Sequence, residues 1–291
     1  MSFTVTFWGV RGSIPTPGNA TARYGGNTAC ISVERDDLDG TQILVFDAGT
    51  GIRRLGNELV GRANGQLKID LLISHTHWDH IQGLPFFTPL FDRGNAARIL
   101  GPKQGKVNLE LILAEQMNQV VFPVPLKGLA AQLEVEHVEE GEFAVGGFDI
   151  AAMRLRHPAT TLGYRIKPGD GGPKFAYLSD NELGSGGEYG VKPSWREDIV
   201  RFLDGTDMLV HDAMYTPEQL ERFQGWGHSS YDEAVALAAE AGVKQLVLFH
   251  HRPEHDDSAI DSVLEKAQAA AAKLDKRLEV IAAAEDQQLT L

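Results

Sequence analysis

The sequence predicts an α/β fold in a single domain, residues 1–291. Three observations predict it. Short runs rich in β-branched and aromatic residues recur in both halves of the chain, helical stretches lie scattered between them, and no linker-like segment breaks the pattern. The first strand is read at Phe3–Val10 (FTVTFWGV). Ala29–Glu34 and Gln42–Gly49 follow, separated by the turn-like DDLDG. Leu67–Ser74 is a short apolar run, as a buried strand requires, and ARILGP stops at Gly101-Pro102. Further strands are expected at FDIAAMRLR, LGYRIKP, KFAYLSD, DMLVHD, KQLVLFH, RLEVIAA and QQLTL.

Helices are expected at Thr50–Leu59, Val107–Val121, Ser230–Ala241 and Ser258–Leu274. Ser230 and Glu233 have capping-box spacing, and Gly242 can sit just past that helix's end. The fourth stretch is rich in Ala, Lys and Glu, all good helix formers. GDGGP (Gly169–Pro173) and residues 184–190 read as surface loops.

Composition sets outer limits. Hydrophobic residues make up 43% and charged residues 23%, ordinary for a soluble globular chain. The single cysteine, Cys30, excludes an intramolecular disulfide and reads as a small buried hydrophobe. A thiol-poor chain whose first residues, MSFTVTFWGV, lack a signal-peptide pattern fits the cytoplasm. No apolar run reaches the roughly 18 residues of a membrane span, so no membrane partner is expected. The formal net charge of −13 weakens the case for a long nucleic acid, whose binding is dominated by phosphate contacts to basic groups. It leaves room for a small anion held by metal ions.

The chemistry is concentrated in LLISHTHWDHIQGLPFF, where His75, His77, Asp79 and His80 follow directly on a buried strand. Imidazole and carboxylate suit Zn²⁺, Mn²⁺ or Fe²⁺. On extended chain His75 and His77 point the same way, because the side-chain period is two, and can share one ion. Asp79 and His80 sit where the loop turns into a helix and can face a second.

HTHWDH resembles the HxHxDH signature of the metallo-β-lactamase superfamily. The continuation IQGLP is similar to the branch of tRNA 3′-processing endonucleases and cyclic phosphodiesterases, and the resemblance covers nearly the whole chain. It implies a four-layer αββα sandwich: two mixed sheets face to face, helices outside, metals at one edge. It also implies three more ligands. They are His157 in RLRHPATTLGYRI, a bridging Asp180 in YLSDNE, and His250 in KQLVLFHH, with His251 as the competing candidate. The implied first site is His75, His77, His157 and Asp180; the second is Asp79, His80, Asp180 and His250. Two divalent cations are expected, zinc first, with manganese or iron also suited.

The same resemblance makes His228 in GWGHSSYDEAV a general acid near the leaving group. Asp212 in VHDAMY is placed to orient it, and Asp79 is counted with both the ligands and the catalytic group. Asp47 in FDAGTG is either a support for the metal loop or a plain turn residue. Asn27 can face the site. Arg252 and His255 can hold a phosphate oxygen or simply meet solvent. Trp78 is expected to pack rather than to stack on a ligand.

The expected activity is metal-dependent hydrolysis of a small cyclic nucleotide or cyclic phosphate, with a metal-activated water as nucleophile and His228 protonating the departing oxygen. The alternatives are a tRNA 3′-processing endonuclease, and a metal-binding sensor or hydrolase of non-phosphate esters. A small phosphodiester is preferred because the tRNA branch inserts a Gly-rich arm between the third motif and the bridging aspartate. Here the interval His157–Asp180 holds only GDGGP. The apolar QMNQVVFPVPL (Gln116–Leu126) can roof a pocket or line a contact between two copies, and a homodimer is expected on resemblance alone.

Overall fold

The computed structural model describes residues 2–37, 40–62, 66–184, 187, 189–274 and 277–291. Leu38 and Asp39 of the expected DDLDG turn, and three residues of the 184–190 loop, lie outside the described residues. The first half of the chain runs β1 (Thr4–Gly9), β2 (Cys30–Asp37), β3 (Gly40–Phe46), α1 (Ile52–Arg62), β4 (Lys68–Leu72), α2 (Trp78–Ile81), β5 (Ala96–Gly101), α3 (Leu109–Gln116) and β6 (Gln132–His137). The second half runs β7 (Gly141–Val145), β8 (Phe148–Arg154), β9 (Leu162–Pro168), β10 (Phe175–Leu178), α4 (Trp195–Phe202), β11 (Met208–Asp212), α5 (Pro217–Phe223), α6 (Tyr231–Glu240), β12 (Gln245–Phe249), α7 (Asp257–Leu274), β13 (Glu279–Ala282) and β14 (Gln288–Thr290).

Two seven-stranded sheets result, ordered β14-β1-β2-β3-β4-β5-β6 and β13-β12-β11-β10-β9-β8-β7. Each begins as an antiparallel meander and continues with parallel strands: β3 to β6 in one sheet, β10 to β13 in the other. Parallel neighbours need crossovers, which the helical segments supply. The last strand, β14, leaves the second half and pairs antiparallel with β1, Thr4 opposite Thr290.

Alternation within the strands explains the layering. Leu44 and Phe46 of β3 face the core between the sheets, while Ile43 and Val45 face the outer core under α1 and α3. Val247 and Phe249 of β12 likewise join the central core, and Leu246 and Leu248 pack under α4, α6 and α7. A strand buried on both faces reads as a continuous apolar run. The four-layer αββα sandwich expected from the sequence is the fold observed.

Four elements were not anticipated. The strand β6 reads QLEVEH and is partly exposed at a sheet edge, so its alternating glutamates mask the strand signal. The five-residue β7 is the opposite edge of the other sheet. Helices α4 and α5 are short, although α5 carries a legible start: Thr216 and Gln219 form a capping box before Pro217. The helix expected over Val107–Val121 is confined to α3, capped by the Asn108 side chain accepting from Leu111 N–H at 2.8 Å. Val120 and Val121 lie beyond it, 93% and 66% exposed, while Met117 and Leu126 of the same stretch are buried. Among the described residues no helix is long and apolar enough to cross a membrane.

The parallel strands of both sheets send their carboxyl ends to the same rim. Asp47 follows β3, His75 follows β4, Asp180 follows β10, Asp212 ends β11 and His250 follows β12. Ligand sites of open α/β sheets lie at such carboxyl ends.

Candidate metal centre

Asp180 is the centre of the cluster. Its Oδ1 lies 3.1 Å from His80 Nε2 and 3.2 Å from His250 Nε2. Its Oδ2 lies 3.6 Å from His75 Nε2 and 3.7 Å from His157 Nε2. The two oxygens of one carboxylate therefore address two different sets of imidazoles. His77 joins the second set through Nδ1, 3.0 Å from His157 Nε2, and Asp79 joins the first, with Oδ2 3.1 Å from His250 Nε2. In each set, His75, His77, His157, Asp180 and Asp79, His80, Asp180, His250, ligand-type atoms lie within 4.8 Å of one another.

The local backbone explains how these side chains are held. Asp47, fully buried, adopts φ 58° just beyond β3, a left-handed conformation that aspartate tolerates better than most residues. Its Oδ1 accepts from Ser74 N–H at 2.7 Å. Its Oδ2 accepts from Ser74 Oγ at 2.8 Å, His80 Nδ1 at 2.7 Å and Tyr177 OH at 2.7 Å. Asp47 thus fixes the start of the metal loop and the ring of His80, which decides between its two sequence readings. Since Ser74 Oγ donates to Asp47, it accepts from His75 Nδ1 at 3.0 Å. His157 Nδ1 donates to Gly227 O at 2.9 Å. All three rings carry their proton on the outward nitrogen and turn Nε2 inward, the arrangement that orients metal-ligating histidines.

His250 also has a positive φ, 60°, immediately after β12. Gly12 makes room for it: a Cβ there would fall 2.5 Å from the His250 ring. Ser13 N–H donates to Asp79 Oδ2 at 2.7 Å. Ser13, too, has a positive φ, 63°, and strain gathered at three loop positions around one cluster is a mark of a functional site.

Electrostatics agree. Burial pushes His75 well below its ordinary pKa and His157 down to about 4, so both keep a lone pair. Burial opposes charge on His80 as well, but the carboxylates of Asp79, Asp180 and Asp47 outweigh it and raise its pKa well above the usual value, which favours a second proton on Nε2 that a cation would have to displace. Burial likewise opposes ionisation of Asp180, yet the surrounding His250, His80 and His75 hold its carboxyl well below the ordinary range. His75 Nε2, His80 Nε2 and Asp180 Oδ1 are buried without a hydrogen-bond partner, all aimed into the cluster. Buried polar atoms are otherwise nearly always satisfied. Lone-pair nitrogens and buried carboxylates converging without donors are what a pair of divalent cations fits.

His228 lies beside the cluster. Its Nδ1 donates to Asp212 Oδ2 at 2.6 Å and stands 3.9 Å from Asp180 Oδ2. Asp212 Oδ1 accepts from Met214 N–H at 2.9 Å, which fixes the carboxylate. Burial again opposes the charged ring, but Asp212 dominates the balance and raises His228 to about 9.

Every expected ligand position is in the cluster, and the remaining candidates separate. His251 is turned away, donating from Nε2 to Ala283 O at 2.9 Å, so His250 is the cluster member. Asn27 does not face the centre; its amide donates to Glu285 Oε2 at 3.0 Å. Trp78 is 77% exposed rather than packed, because the turn into α2 carries it outward beside exposed His77. Arg252 pairs with Glu254 at 2.6 Å and lies over the Phe223 ring, and buried His255 meets the Gln219 amide at 3.0 Å. Sequence reasoning missed Ser13, Ser74, Tyr177 and Glu182. Only Ser74, adjoining His75, carried a positional signal.

Fold and site together define a metal-dependent hydrolase. Residues 41–251 match the family model described as the beta-lactamase superfamily domain, and the chain belongs to that superfamily. In sequence it is 25% identical to ribonuclease Z of Haloarcula marismortui, over 93% of this chain and 92% of that protein. Its structure resembles the metallo-beta-lactamase fold protein YhfI from Bacillus subtilis, with a TM-score of 0.70 and 17% identity, covering 100% of this chain and 99% of the other. The human short-form tRNase Z superposes with a TM-score of 0.63 at 20% identity, covering 98% of each chain.

Proposed function

We propose that this chain hydrolyses a phosphodiester bond of RNA at a two-metal centre, as a tRNA 3′-processing endonuclease. The observation that carries the phosphodiester reading is the Asp180 carboxylate shared between two histidine sets with the His228–Asp212 pair 3.9 Å away. The RNA reading is supported by sequence relatives named ribonuclease Z that span over nine-tenths of the chain. That support reverses the order expected from the sequence, which put a small cyclic phosphate first.

His75, His77 and His157 with Asp180 Oδ2 would hold one ion, and Asp79, His80 and His250 with Asp180 Oδ1 the other; zinc suits the set best. When bound, the ions supply positive charge to the phosphate oxygens and lower the pKa of an attacking water. The protein does the rest. Asp47 fixes His80, Ser74 fixes His75, Gly227 fixes His157, and Ser13 holds Asp79, so the centre is preorganised. Asp212 keeps His228 protonated and its ring oriented, leaving Nε2 to pass a proton to the departing oxygen. A homodimer belongs to the same proposal; sedimentation at equilibrium tests it.

A second reading, a small cyclic phosphodiester, is favoured by one observation. The strands β9 and β10 are joined by residues 169–174 alone, so no arm extends there to grip tRNA. Metal-loaded protein assayed side by side on a pre-tRNA, cyclic mononucleotides, 2′,3′-cyclic phosphates and a chromogenic phosphodiester separates the two. Cleavage of the pre-tRNA beside its acceptor stem is expected. Turnover of cyclic phosphates with none of pre-tRNA overturns the RNA reading, and no turnover of any of them overturns the phosphodiesterase reading.

A further inference from the structure

Two residues before His228, Trp226 exposes 61% of its surface on a turn that is tightly held. Glu182, almost fully buried, accepts from Gly225 N–H at 3.0 Å and from Gly227 N–H at 2.9 Å. Gly227 O in turn receives His157 Nδ1. Gly227 has φ 86°, and a Cβ there would lie 2.2 Å from His157 Nδ1, so the turn presses directly on the metal cluster. The turn thus fixes the backbone on either side of Trp226, whose ring stands largely exposed.

From Trp226 a line of rings leads inward. Its indole meets Phe223 edge to face at 5.4 Å, Phe223 stacks on Tyr215 at 5.0 Å, and Tyr215 sets its edge against His228 at 6.0 Å. The Arg252 guanidinium lies over Phe223 at 4.8 Å and over Tyr215 at 5.6 Å. Beside this stack opens a cavity of about 440 Å³ whose lining includes Arg222, Arg252, Phe223 and His255 and also Glu218 and Glu254, the latter paired with Arg252 at 2.6 Å. An exposed aromatic at the end of a ring stack that borders two arginines, Arg222 and the Glu254-paired Arg252, suits a base and its phosphate: rings stack on any nucleobase, and guanidinium groups attract phosphate.

We propose that Trp226 is the stacking platform for the nucleobase of the nucleotide that departs, with Arg222 and Arg252 facing its neighbouring phosphate. The geometry selects that nucleotide because His228, which protonates the departing oxygen, lies at the inner end of the same line of rings. The proposal deepens the RNA reading and rests on it, since a cyclic monophosphate has no separate departing nucleoside.

The test uses metal-loaded full-length protein and two matched RNA substrates, one with its base and one abasic at the departing nucleotide. In the wild type the base is expected to raise kcat/KM by roughly 5- to 150-fold, the range of base–aromatic stacking, mostly through KM. In Trp226→Ala that ratio falls to near one, and Trp226→Phe keeps most of it. A ratio unchanged by Trp226→Ala overturns the proposal. Calorimetric titration with adenosine 3′-monophosphate and with inorganic phosphate reads the subsite without turnover. Weakened nucleotide binding with unaltered phosphate binding in Trp226→Ala supports the platform even if no RNA is cleaved, which would sink the RNA reading alone; equal nucleotide affinities overturn the platform.

Discussion

Replacing Asp47 by Asn probes the support of the metal loop without disturbing the backbone, because asparagine also accepts the positive φ of 58° found there. The side chain is fully buried and its two oxygens take four hydrogen bonds, from Ser74 N–H, Ser74 Oγ, His80 Nδ1 and Tyr177 OH. The mildest placement of an amide keeps oxygen at the crowded Oδ2 position and puts NH₂ where Oδ1 accepted from Ser74 N–H. That leaves two donors face to face in a dry interior, each costing about 1–3 kcal/mol when unsatisfied. The surviving bonds also lose their charge assistance. The expected loss is about 2–6 kcal/mol, or roughly 4–12 °C in Tm for a chain of this size. Urea unfolding with excess chelator measures it free of any metal contribution. Metal content after dialysis should fall as well, because a loosened partner of a ligating histidine weakens affinity by about 10–100-fold. A variant within about 0.5 kcal/mol of wild type, with undiminished metal retention, would refute the assignment of Asp47 as the support of His80 and Ser74.

Three further outcomes are expected. With His228 as the proposed general acid, activity should decline as pH rises through its pKa; Asp212 raises that value to about 9, bound cations would pull it back, and Asp212→Asn should move the alkaline limb acidward by about 1–3 pH units. An unmoved limb in the pH–kcat profile would contradict the pairing. His228→Ala should lower kcat by about 10²–10⁴ with metal stoichiometry unchanged, which elemental analysis beside turnover measurements checks. Chelation should abolish hydrolysis and lower Tm, and free cation at about a hundred times its dissociation constant should restore about 2.7 kcal/mol per site, visible by calorimetry.

Much of this was legible in the sequence because strong patterns coincide with strong constraints. Strands buried on both faces, such as β3, β4 and β12, need uninterrupted apolar runs, and each run ends at a chemically loaded residue: Asp47, His75 or His250. The capping box at Ser230 and the positive-φ Gly242 behind α6 were readable because they are local. What stayed hidden depends on distant partners. Asn27 could equally have faced the site or stayed in its Gly-rich turn, and only the fold shows Glu285, far along the chain, taking its amide. Trp78 looked like core until the turn into α2 carried it outward. Glu182 reads as one more loop acid, and only the folded chain brings the turn around Gly225 and Gly227 to it.

The rim where the two sheets meet has a temporal consequence. His75, His77, Asp79 and His80 come from the first sheet's loops, whereas His157, Asp180 and His250 come from the second's. Neither half alone holds a carboxylate between two imidazole sets, so hydrolytic competence appears all at once, when the halves dock. A nascent or truncated chain would carry only part of the cluster. In the finished protein the ions would reinforce a margin already joined by backbone bonds, where His251 pairs with Val10 and Gly12 and Leu162 N–H donates to Ser74 O.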